Sequence, residues 1–524
     1  MDSYSFTNEE LRQIKDHGLT MEKIQNQLDK FKMPSPYLNL VRPCTPGDGI
    51  KLLDRKKMQE LAETYELEAP FRRCLKFIPA SGAASRMFKI LLRFLNQDKE
   101  IQRESIADKA RSGETEAQEL LKFMDGIENF AFFKDLKSLM SKKNFNIDIF
   151  LNRGQFTDII RLLLTEDGLG YASLPKGLLK FHDYPDANRT ALEEHLVEAA
   201  SYVTSQSRES FLHITVSREH LGKFEALLQR ITPSYEKKYH ISFHVGFSFQ
   251  KTATDTIAVG PDNKPFLQTD GSLLFRPGGH GALIENLNDL SADIIFVKNI
   301  DNVVVDRFKS TTFNWKKILG GSLITIQKKI FSYMEKLSSG PVDNPFFEEV
   351  TAFVREELSL AVPVDMESSS IETKRTALME RLNRPIRICG MVKNEGEPGG
   401  GPFWVKNKTD EFSLQIVEKA QVNPESKEQN AVFASSTHFN PVDLVCGTRD
   451  WQGKPFELRQ YVNQNAFFIS QKSKDGKALK ALEHPGLWNG GMARWITIFV
   501  EVPAITFNPV KTINDLLRKE HQPG

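Results

Sequence analysis

The stretch that decides the fold is residues 274–306, LFRPGGHGALIENLNDLSADIIFVKNIDNVVVD. A glycine-dense turn at 277–281 leads into a helix-like segment, and the short apolar run 294–297 follows. Short apolar runs bounded by turn residues are typical of fully buried parallel strands. Because ligands of open α/β sheets lie at the carboxyl ends of such strands, Asp301 is a candidate ligand for a divalent cation held against a phosphate.

Each half of this stretch also has an ordinary structural explanation. A glycine-rich turn before a helix is often plain loop structure, and an aspartate after a strand often caps a helix. The same glycines would let backbone N–H groups approach a ligand with no side chain in the way. Both features fall in one window of the size of a βαβ unit. Two further segments of the chain carry similar signals, so a ligand site is favoured over a purely structural role.

Composition places the chain among ordinary folded proteins and excludes several classes. Its 524 residues are enough for two or three domains. The 69 basic and 68 acidic residues nearly cancel, so no overall charge drives binding to nucleic acid or to a membrane. The four cysteines form no CxxC pair, which argues against a zinc ribbon and fits a reducing compartment. With no signal-peptide pattern and no run of 18 apolar residues, we expect a cytoplasmic protein.

A second informative segment begins at residue 75. The short strand 75–79 leads into small residues at 80–85, and a helix is predicted to begin at Arg86. A helix start at the tip of a strand presents backbone N–H groups and the positive end of the helix dipole. Small residues there would let a phosphate or a flat base lie against the main chain, although a tight packing turn is the alternative.

Alternating strands and helices over residues 75–305 predict an α/β fold. We predict four consecutive segments: a helical N-terminal extension, an α/β core with a helical insertion at about 96–165, a helical linker, and a β-rich C-terminal region. Their predicted bounds are 1–73, 74–340, 341–385 and 386–524. The glycine-rich loop 394–402 in the last segment suits a hydroxyl-rich ligand, because carboxylates accept hydrogen bonds from sugar hydroxyls; a long hairpin loop is the alternative.

Several short motifs, in their order along the chain, resemble those of the UDP-sugar pyrophosphorylases of the nucleotide-diphospho-sugar transferase superfamily. The chain also resembles a bacterial family of unknown function within that superfamily. The match rests on the small-residue turn ASGAASRM at 80–87, the loop PKG at 175–177, the loop PGGHG at 277–281, the motif NIDN at 299–302 and the late segment FNPVK at 507–511. The resemblance implies a GT-A or Rossmann-like core with a mixed, mainly parallel sheet. It also implies that a nucleoside triphosphate, first of all UTP, and a sugar 1-phosphate react with Mg²⁺ to give a nucleotide sugar and pyrophosphate.

The resemblance also implies roles for individual residues. Asp301 would be the Mg²⁺ ligand, and the catalytic cations would be Arg86, Lys176 and Lys511. Nucleotide contacts would come from Ala80, Ser81, Gly82, Ala83, Gln250, Gly279, His280 and Gly281. Sugar contacts would come from Asn299, Glu395, Glu397, Gly399 and Asn489, so the C-terminal region would complete the site on the sugar side.

Two other functions fit the sequence. Ala84 stands where the resembled family usually carries a second glycine, so its methyl group is expected to narrow the space for a base or phosphate. This feature and the long insertion fit a non-catalytic protein that binds a nucleotide or a nucleotide sugar. They also fit a structural protein that uses its helical parts as a partner surface. The oligomeric state does not follow from the sequence.

Overall fold

The computed structural model describes residues 4–82, 84–97, 100–362, 369–396, 399–407 and 409–523. Thr7 accepts a hydrogen bond from the backbone of Glu10 while the Glu10 carboxylate accepts one from Thr7 N, so a capping box opens the first helix. The helices are α1 (Asn8–Asp16), α2 (Met21–Lys32), α3 (Arg55–Glu68), α4 (Lys89–Leu95), α5 (Arg103–Arg111), α6 (Thr115–Asp125), α7 (Phe133–Lys142), α8 (Ile147–Asn152), α9 (Thr157–Leu164), α10 (Ala191–Tyr202), α11 (Leu221–Tyr239), α12 (Leu283–Asn288), α13 (Asp306–Ser339), α14 (Asn344–Ala352), α15 (Ile371–Leu382) and α16 (Lys427–Ala434).

The strands are short, and several are buried along their whole length. They are β1 (Asn39–Pro43), β2 (Thr45–Pro46), β3 (Gly49–Lys51), β4 (Cys74–Pro79), β5 (Lys180–His182), β6 (Arg189–Thr190), β7 (Glu209–Thr215), β8 (Ser242–Ser248), β9 (Thr256–Ile257), β10 (Phe275–Arg276), β11 (Ile294–Lys298), β12 (Ile386–Lys393), β13 (Gly401–Lys406), β14 (Phe412–Val417), β15 (His438–Phe439), β16 (Asp443–Gly447), β17 (Phe468–Lys474), β18 (Lys477–Glu483) and β19 (Ile496–Glu501).

The described chain forms two compact units, and each unit is assembled from three separate stretches of sequence. The first unit contains residues 1–74, 249–297 and 317–502, and the second contains 75–248, 298–316 and 503–524. This division does not test the four consecutive segments expected from the sequence, which stay a prediction. Each unit is described separately below.

The second unit has a parallel sheet of β4, β7 and β8, in that order. The strand β7 pairs with β4 on one side and with β8 on the other, and their carboxyl ends lie at the same edge. The predicted helical insertion is confirmed, because α5 to α9 fill residues 103–164. Their apolar stripes, which include Leu120, Phe123 and Leu136, are buried as core contacts.

The first unit carries the strands β2, β3, β19, β12, β16 and β11, side by side in that order. The strand β19 runs parallel to β3 and to β12, whereas β16 is antiparallel to β12. The run 294–297 is confirmed as a fully buried strand, β11. Helices α1 and α2 pack through Ile14, Ile24 and Phe31 on a core that includes Ile257 and Leu482.

These observations confirm the predicted α/β class with a mixed, mainly parallel sheet. One local expectation differs from the structure. The N-terminal region, expected to be helical, also contains the short strands β1, β2 and β3. Among the described helices, none is both long enough and apolar enough to cross a bilayer.

Candidate functional site

The small-residue turn leaves the end of β4 in the second unit. Ala80 N donates to Thr215 O at 3.0 Å, which holds the turn on the neighbouring strand β7. Gly82 is exposed, and a Cβ added there would meet no atom within 4 Å. Ala83 lies outside the described residues. The turn therefore has an open side at Gly82, and the nucleotide contacts of Ala80, Ser81 and Gly82 stay a prediction.

The predicted helix start at Arg86 is wrong. A 3₁₀ turn spans Ala84–Arg86, and the helix α4 begins only at Lys89. The buried Phe88 occupies the position before α4, and its side chain has no oxygen that could cap the helix. The N-terminus of α4 is therefore displaced from the small-residue turn. Arg86 itself is exposed. Ala84 is fully buried and its N–H donates to Leu174 O, so its methyl group packs inside the unit rather than on the open side of the turn.

Lys176 and Asp301 meet directly in the second unit. Lys176 Nζ lies 2.6 Å from Asp301 Oδ2, and each side chain is 18% exposed. Lys176 begins a 3₁₀ turn after Pro175. A Cβ on Gly177 would come within 2.8 Å of the Phe224 ring, so the glycine lets this turn pack closely on α11. The sequence thus places an ammonium and a carboxylate, 125 residues apart in the chain, in one partly exposed ion pair.

The late segment that contains Lys511 lies against the same ion pair. Lys176 Nζ also donates to Val510 O at 2.6 Å, and Val510 N donates to Asp301 O at 3.1 Å. Asn508 N donates to the side chain of Asn302 at 2.8 Å, which extends this pairing to the next residues. Lys511 N donates to the carboxylate of Asp515, and the half-exposed Lys511 side chain has its Nζ 5.8 Å from the Phe507 ring centroid. The structure therefore brings Lys176, Asp301 and the backbone of Val510, the residue before Lys511, together.

A buried charge network lies behind this loop and was not found from the sequence. The Glu198 carboxylate accepts from Lys76 Nζ at 2.6 Å and from Lys298 Nζ at 2.7 Å, and all three side chains are at most 1% exposed. His195, one turn earlier on α10, bonds through Nε2 to Ile300 O at 3.1 Å. Since Ile300 precedes Asp301, the network anchors the loop that carries the predicted metal ligand. The signal in the sequence was a lysine inside each of two otherwise apolar strands.

Two lysines share one buried carboxylate in this network. Burial lowers the pKa of Lys76 to about 7, and the neighbouring Lys298 and Lys316 act in the same direction against the attraction of Glu198. Burial tends to raise the pKa of Glu198, but Lys298 and Lys76 hold it well below its usual range. The carboxylate therefore stays ionised, and Lys76 is the group in this network that loses its proton near neutral pH.

The low pKa of Lys76 predicts a pH-dependent stability. Between pH 7 and about 10.5 the unfolded chain holds a proton on this residue that the folded chain has lost, so folding stability rises with pH. This contribution is complete above the unfolded pKa and is lost as the pH falls through 7. Relative to Lys76→Met, the wild type should gain up to about 1.4 kcal/mol per pH unit in this window, measured by urea unfolding. The exposed-lysine variant Lys137→Met should run parallel to wild type, and parallel curves for Lys76→Met would contradict the prediction.

A second buried network ties the C-terminal residues to the same unit. Glu194 is fully buried, and it accepts from His182 at 2.8 Å, from Tyr184 at 2.9 Å, from Arg189 at 3.3 Å and from Lys309. His182 Nε2 lies 2.9 Å from Nδ1 of the buried His521. The segment after Lys511 is therefore held by polar contacts inside the unit.

Removing the charge of Glu194 should destabilise the protein strongly. The variant Glu194→Gln leaves Lys309 and Arg189 buried beside a neutral group, and breaking a buried pair typically costs about 3–5 kcal/mol. Chemical denaturation measures the loss. Glu116→Gln is the matched control, because Glu116 pairs with an exposed arginine and surface pairs contribute about 1 kcal/mol or less. A loss for Glu194→Gln no larger than that of the control would contradict the expectation.

The glycine turn 277–281 and a tryptophan form a separate cluster in the first unit. Gly279 has φ of +77°, and a Cβ on Gly281 would lie 2.2 Å from Pro485 O, so both positions require glycine. The His280 ring stacks on Trp488 with centroids 4.1 Å apart. Its Nδ1 accepts from Leu487 N at 3.1 Å, which leaves the proton on Nε2.

His280 is neutral because it is buried beside other side chains of this cluster. Burial lowers the pKa of His280 to about 4, so the ring is neutral at physiological pH. Trp488 Nε1 donates to Glu418 Oε1 at 3.3 Å, and burial raises the pKa of Glu418. Asn489 is buried and its amide donates to Ile416 O at 2.9 Å. Glu418 and Trp488 were not found from the sequence, since neither stands in a recognisable motif.

The remaining predicted residues are less closely grouped. Gln250, in the first unit, has a buried Nε2 with no hydrogen-bond acceptor among the described residues, which suits a ligand oxygen. Glu395 and Gly399 are exposed near the end of β12, and Glu397 lies outside the described residues. Asn299 belongs to the second unit, two residues before Asp301.

Comparison of the sequence with models of protein families identifies a family for this chain. Residues 7–522 match the model of the domain of unknown function DUF4301. The chain belongs to the DUF4301 family. The sequence-based placement in a family of unknown function is thereby confirmed. No curated protein sequence matches this DUF4301 chain.

Two solved structures are similar to the DUF4301 chain. A mutant of UDP-glucose pyrophosphorylase from Leishmania major is 12% identical, with a TM-score of 0.44, over 98% of this chain and 79% of that one. The uridine diphosphate N-acetylglucosamine pyrophosphorylase from Trypanosoma brucei, in complex with an inhibitor, is 10% identical, with a TM-score of 0.45, over 94% and 74% of the two chains.

The donor set around Asp301 in this DUF4301 protein decides what kind of metal could bind. Within the described ranges, no three His, Cys, Asp or Glu side chains are grouped so that they could hold a metal ion. A closed structural metal site is therefore not formed by these residues. Mg²⁺ is often bound by one or two carboxylates together with substrate phosphates and water. The single, partly exposed carboxylate of Asp301 fits that kind of ion.

Proposed function

We propose that this protein transfers a nucleotidyl group from a nucleoside triphosphate, with UTP as the first choice, to a sugar 1-phosphate. The observation that carries the proposal is the meeting of Lys176, Asp301 and Val510 in the second unit. Three distant segments supply an ammonium, a carboxylate and a backbone carbonyl to one partly exposed place. Such an arrangement can position and neutralise phosphate groups, which is most of what this reaction requires.

The proposed reaction needs no covalent intermediate. A phosphate oxygen of the sugar 1-phosphate attacks the α-phosphorus of the nucleotide in line. The bond from that phosphorus to the oxygen bridging to the β-phosphate breaks, and pyrophosphate leaves with the electron pair. The protein then contributes by holding the two phosphates in line and by stabilising the charge on their oxygens.

The charged residues predicted for the site each have a proposed part in this reaction. Lys176 moves its ammonium from the carboxylate of Asp301 onto a phosphate oxygen, and Lys511 holds the second phosphate. Arg86, exposed at the end of the small-residue turn, steadies the departing pyrophosphate. Mg²⁺, when bound at Asp301, would supply positive charge to the phosphate oxygens. His195 and the network of Glu198 keep the backbone beside Asp301 in place.

The predicted ligand contacts outside this cluster are part of the proposal. The proposed nucleotide contacts are Ala80, Ser81, Gly82, Ala83, Gln250, Gly279, His280 and Gly281. The proposed sugar contacts are Asn299, Glu395, Glu397, Gly399 and Asn489. The unsatisfied amide of Gln250 supports the first set.

The test is a matrix of nucleoside triphosphates and sugar 1-phosphates with Mg²⁺, read by release of pyrophosphate. The proposal expects release with at least one pair, and expects it to depend on both substrates. A thermal shift with a nucleotide or nucleotide sugar, without pyrophosphate release from any pair, would instead establish a non-catalytic binding protein. Absence of both signals would overturn nucleotide binding altogether and leave the structural role.

A further inference from the structure

A groove crosses one face of the sheet in the first unit, and nothing in the proposed reaction uses it. Its volume is about 770 Å³. The floor is formed by β3, β12 and β19, where Ile388 pairs with Ile498 and Val500 pairs with Lys51. Because side chains alternate along a strand, these four residues lie on the same face of the sheet. The floor is therefore aliphatic, with one ammonium on β3, next to the edge strand β2.

The helix α13 forms one wall and leaves the groove open. Ser322, Thr325, Ile326 and Lys329 line it, at the spacing of one helix face. A helix face turned to a sheet normally carries large apolar side chains that fill the space between them. Two hydroxyl-bearing side chains and a lysine take their place here. The volume is thus a consequence of residue choice on α13.

The opposite wall contains irregular backbone. Residues Phe353–Glu357 form a π-helical turn directly after α14, and Ser359 has φ of +54°. π-turns and left-handed residues other than glycine are costly, and they cluster at ligand sites. Phe353, Glu357 and Ser359 all line the groove. The costly backbone and the open volume therefore coincide.

The charged groups at the groove are three lysines, Lys51, Lys57 and Lys329, and two glutamates, Glu356 and Glu357. Lys51 forms an ion pair with Glu357. The hydrogen bond from Lys51, with the nearby charges of Lys329 and Lys57, lowers the pKa of Glu357. Three cations from three different elements thus act on Glu357, and Lys57 Nζ also lies 3.4 Å from Glu60 Oε2 in an exposed ion pair. Lys57 and Lys329 are exposed at the rim, so a second anion could join them there.

We propose that this groove binds a small amphipathic anion, with its apolar body against the partly exposed Leu53 and Ile326 and its carboxylate or phosphate head group at Lys57 and Lys329. The volume lies in the range of pockets that enclose a small organic ligand. The aliphatic lining matches an alkyl or isoprenoid body, and the two exposed lysines at the rim match the head group. The site is independent of the proposed nucleotidyl transfer.

Binding of simple probes tests the chemistry. Decanoate and decyl phosphate, used below their micelle concentrations, are titrated into the full-length protein by calorimetry, with decanol as the uncharged control. We expect saturable binding of at least one anion and at least tenfold weaker binding of decanol. A preference between the two anions identifies the head group as carboxylate or phosphate. Binding of neither anion, or equal binding of decanol, overturns the proposal.

Variants locate the probe in the groove. Thr325→Trp places a large ring into the open volume from an exposed helix position, and we expect it to reduce affinity at least tenfold. The double variant Lys57→Gln with Lys329→Gln removes the rim charges and should weaken the anion about tenfold while leaving decanol unchanged. Lys56→Gln is the matched control, because its side chain is 87% exposed beside Lys57 and lies outside the groove. Unchanged anion affinity in Thr325→Trp and in the double variant, both shown to be folded by circular dichroism, would overturn the proposed location.

Discussion

Pyrophosphate release by Asp301→Ala is expected to be about 10²- to 10³-fold slower than by the wild type, the usual loss when one preorganised charge is removed from a reaction centre. The carboxylate of Asp301 is the proposed Mg²⁺ ligand, and no cluster of acids among the described residues could replace it. Its removal also leaves Lys176 without its ion-pair partner. Initial rates with saturating nucleotide and sugar phosphate, at several Mg²⁺ concentrations, measure the effect.

Asp167→Asn serves as the matched control for this substitution. Asp167 is a surface carboxylate of the same unit, 73% exposed and paired with Lys143, so its loss should leave the rate unchanged. Asp301→Asn preserves the shape of the side chain and should be nearly as slow as Asp301→Ala. A rate for Asp301→Asn equal to that of the wild type would contradict the proposal that Asp301 binds Mg²⁺.

The second large effect is expected for Lys176→Ala, again about 10²- to 10³-fold in kcat. Lys176 Nζ joins Asp301 Oδ2 and Val510 O, so it is placed where it can pass from the carboxylate to a phosphate oxygen. If it acts mainly on the transition state, kcat falls while KM changes little. Lys134→Ala, which removes a 71% exposed lysine, provides the control.

Combining the two substitutions tests whether the residues act as a unit. Side chains that share one task give grossly non-additive effects, so the double variant should be about as slow as the slower single variant. Independent roles would instead multiply the two losses. Wild-type rates in both single variants would contradict the proposal that the reaction takes place at Lys176 and Asp301.

Much of this site could be predicted from the sequence, because its parts carry local signals. Proline and glycine on either side of Lys176 indicate an exposed turn, and the buried run before Asp301 indicates a strand end. The contact between Lys176 and Asp301 agrees with the prediction that these segments converge. The helix expected at Arg86 failed, since the pattern of apolar residues could not distinguish a 3₁₀ turn from the first turn of a helix.

The buried charges could not be predicted in the same way. Lys76 and Glu198 are ordinary surface residues by composition, and only their tertiary neighbours make burial tolerable. Periodicity assigns a residue to a face of its own element, but it does not identify the partner element. For the same reason Trp488 beside His280, and the assembly of each unit from three stretches of sequence, became visible only in the structure.

The pairing of residues 301 and 302 with 508–510 has a consequence for biosynthesis. A nascent chain that has reached residue 480 already contains Lys176 and Asp301, yet it lacks the backbone that joins them. The long sequence separation of these contacts makes them late events in folding. Translation products that end before residue 508 would therefore carry both charged groups without this backbone clamp.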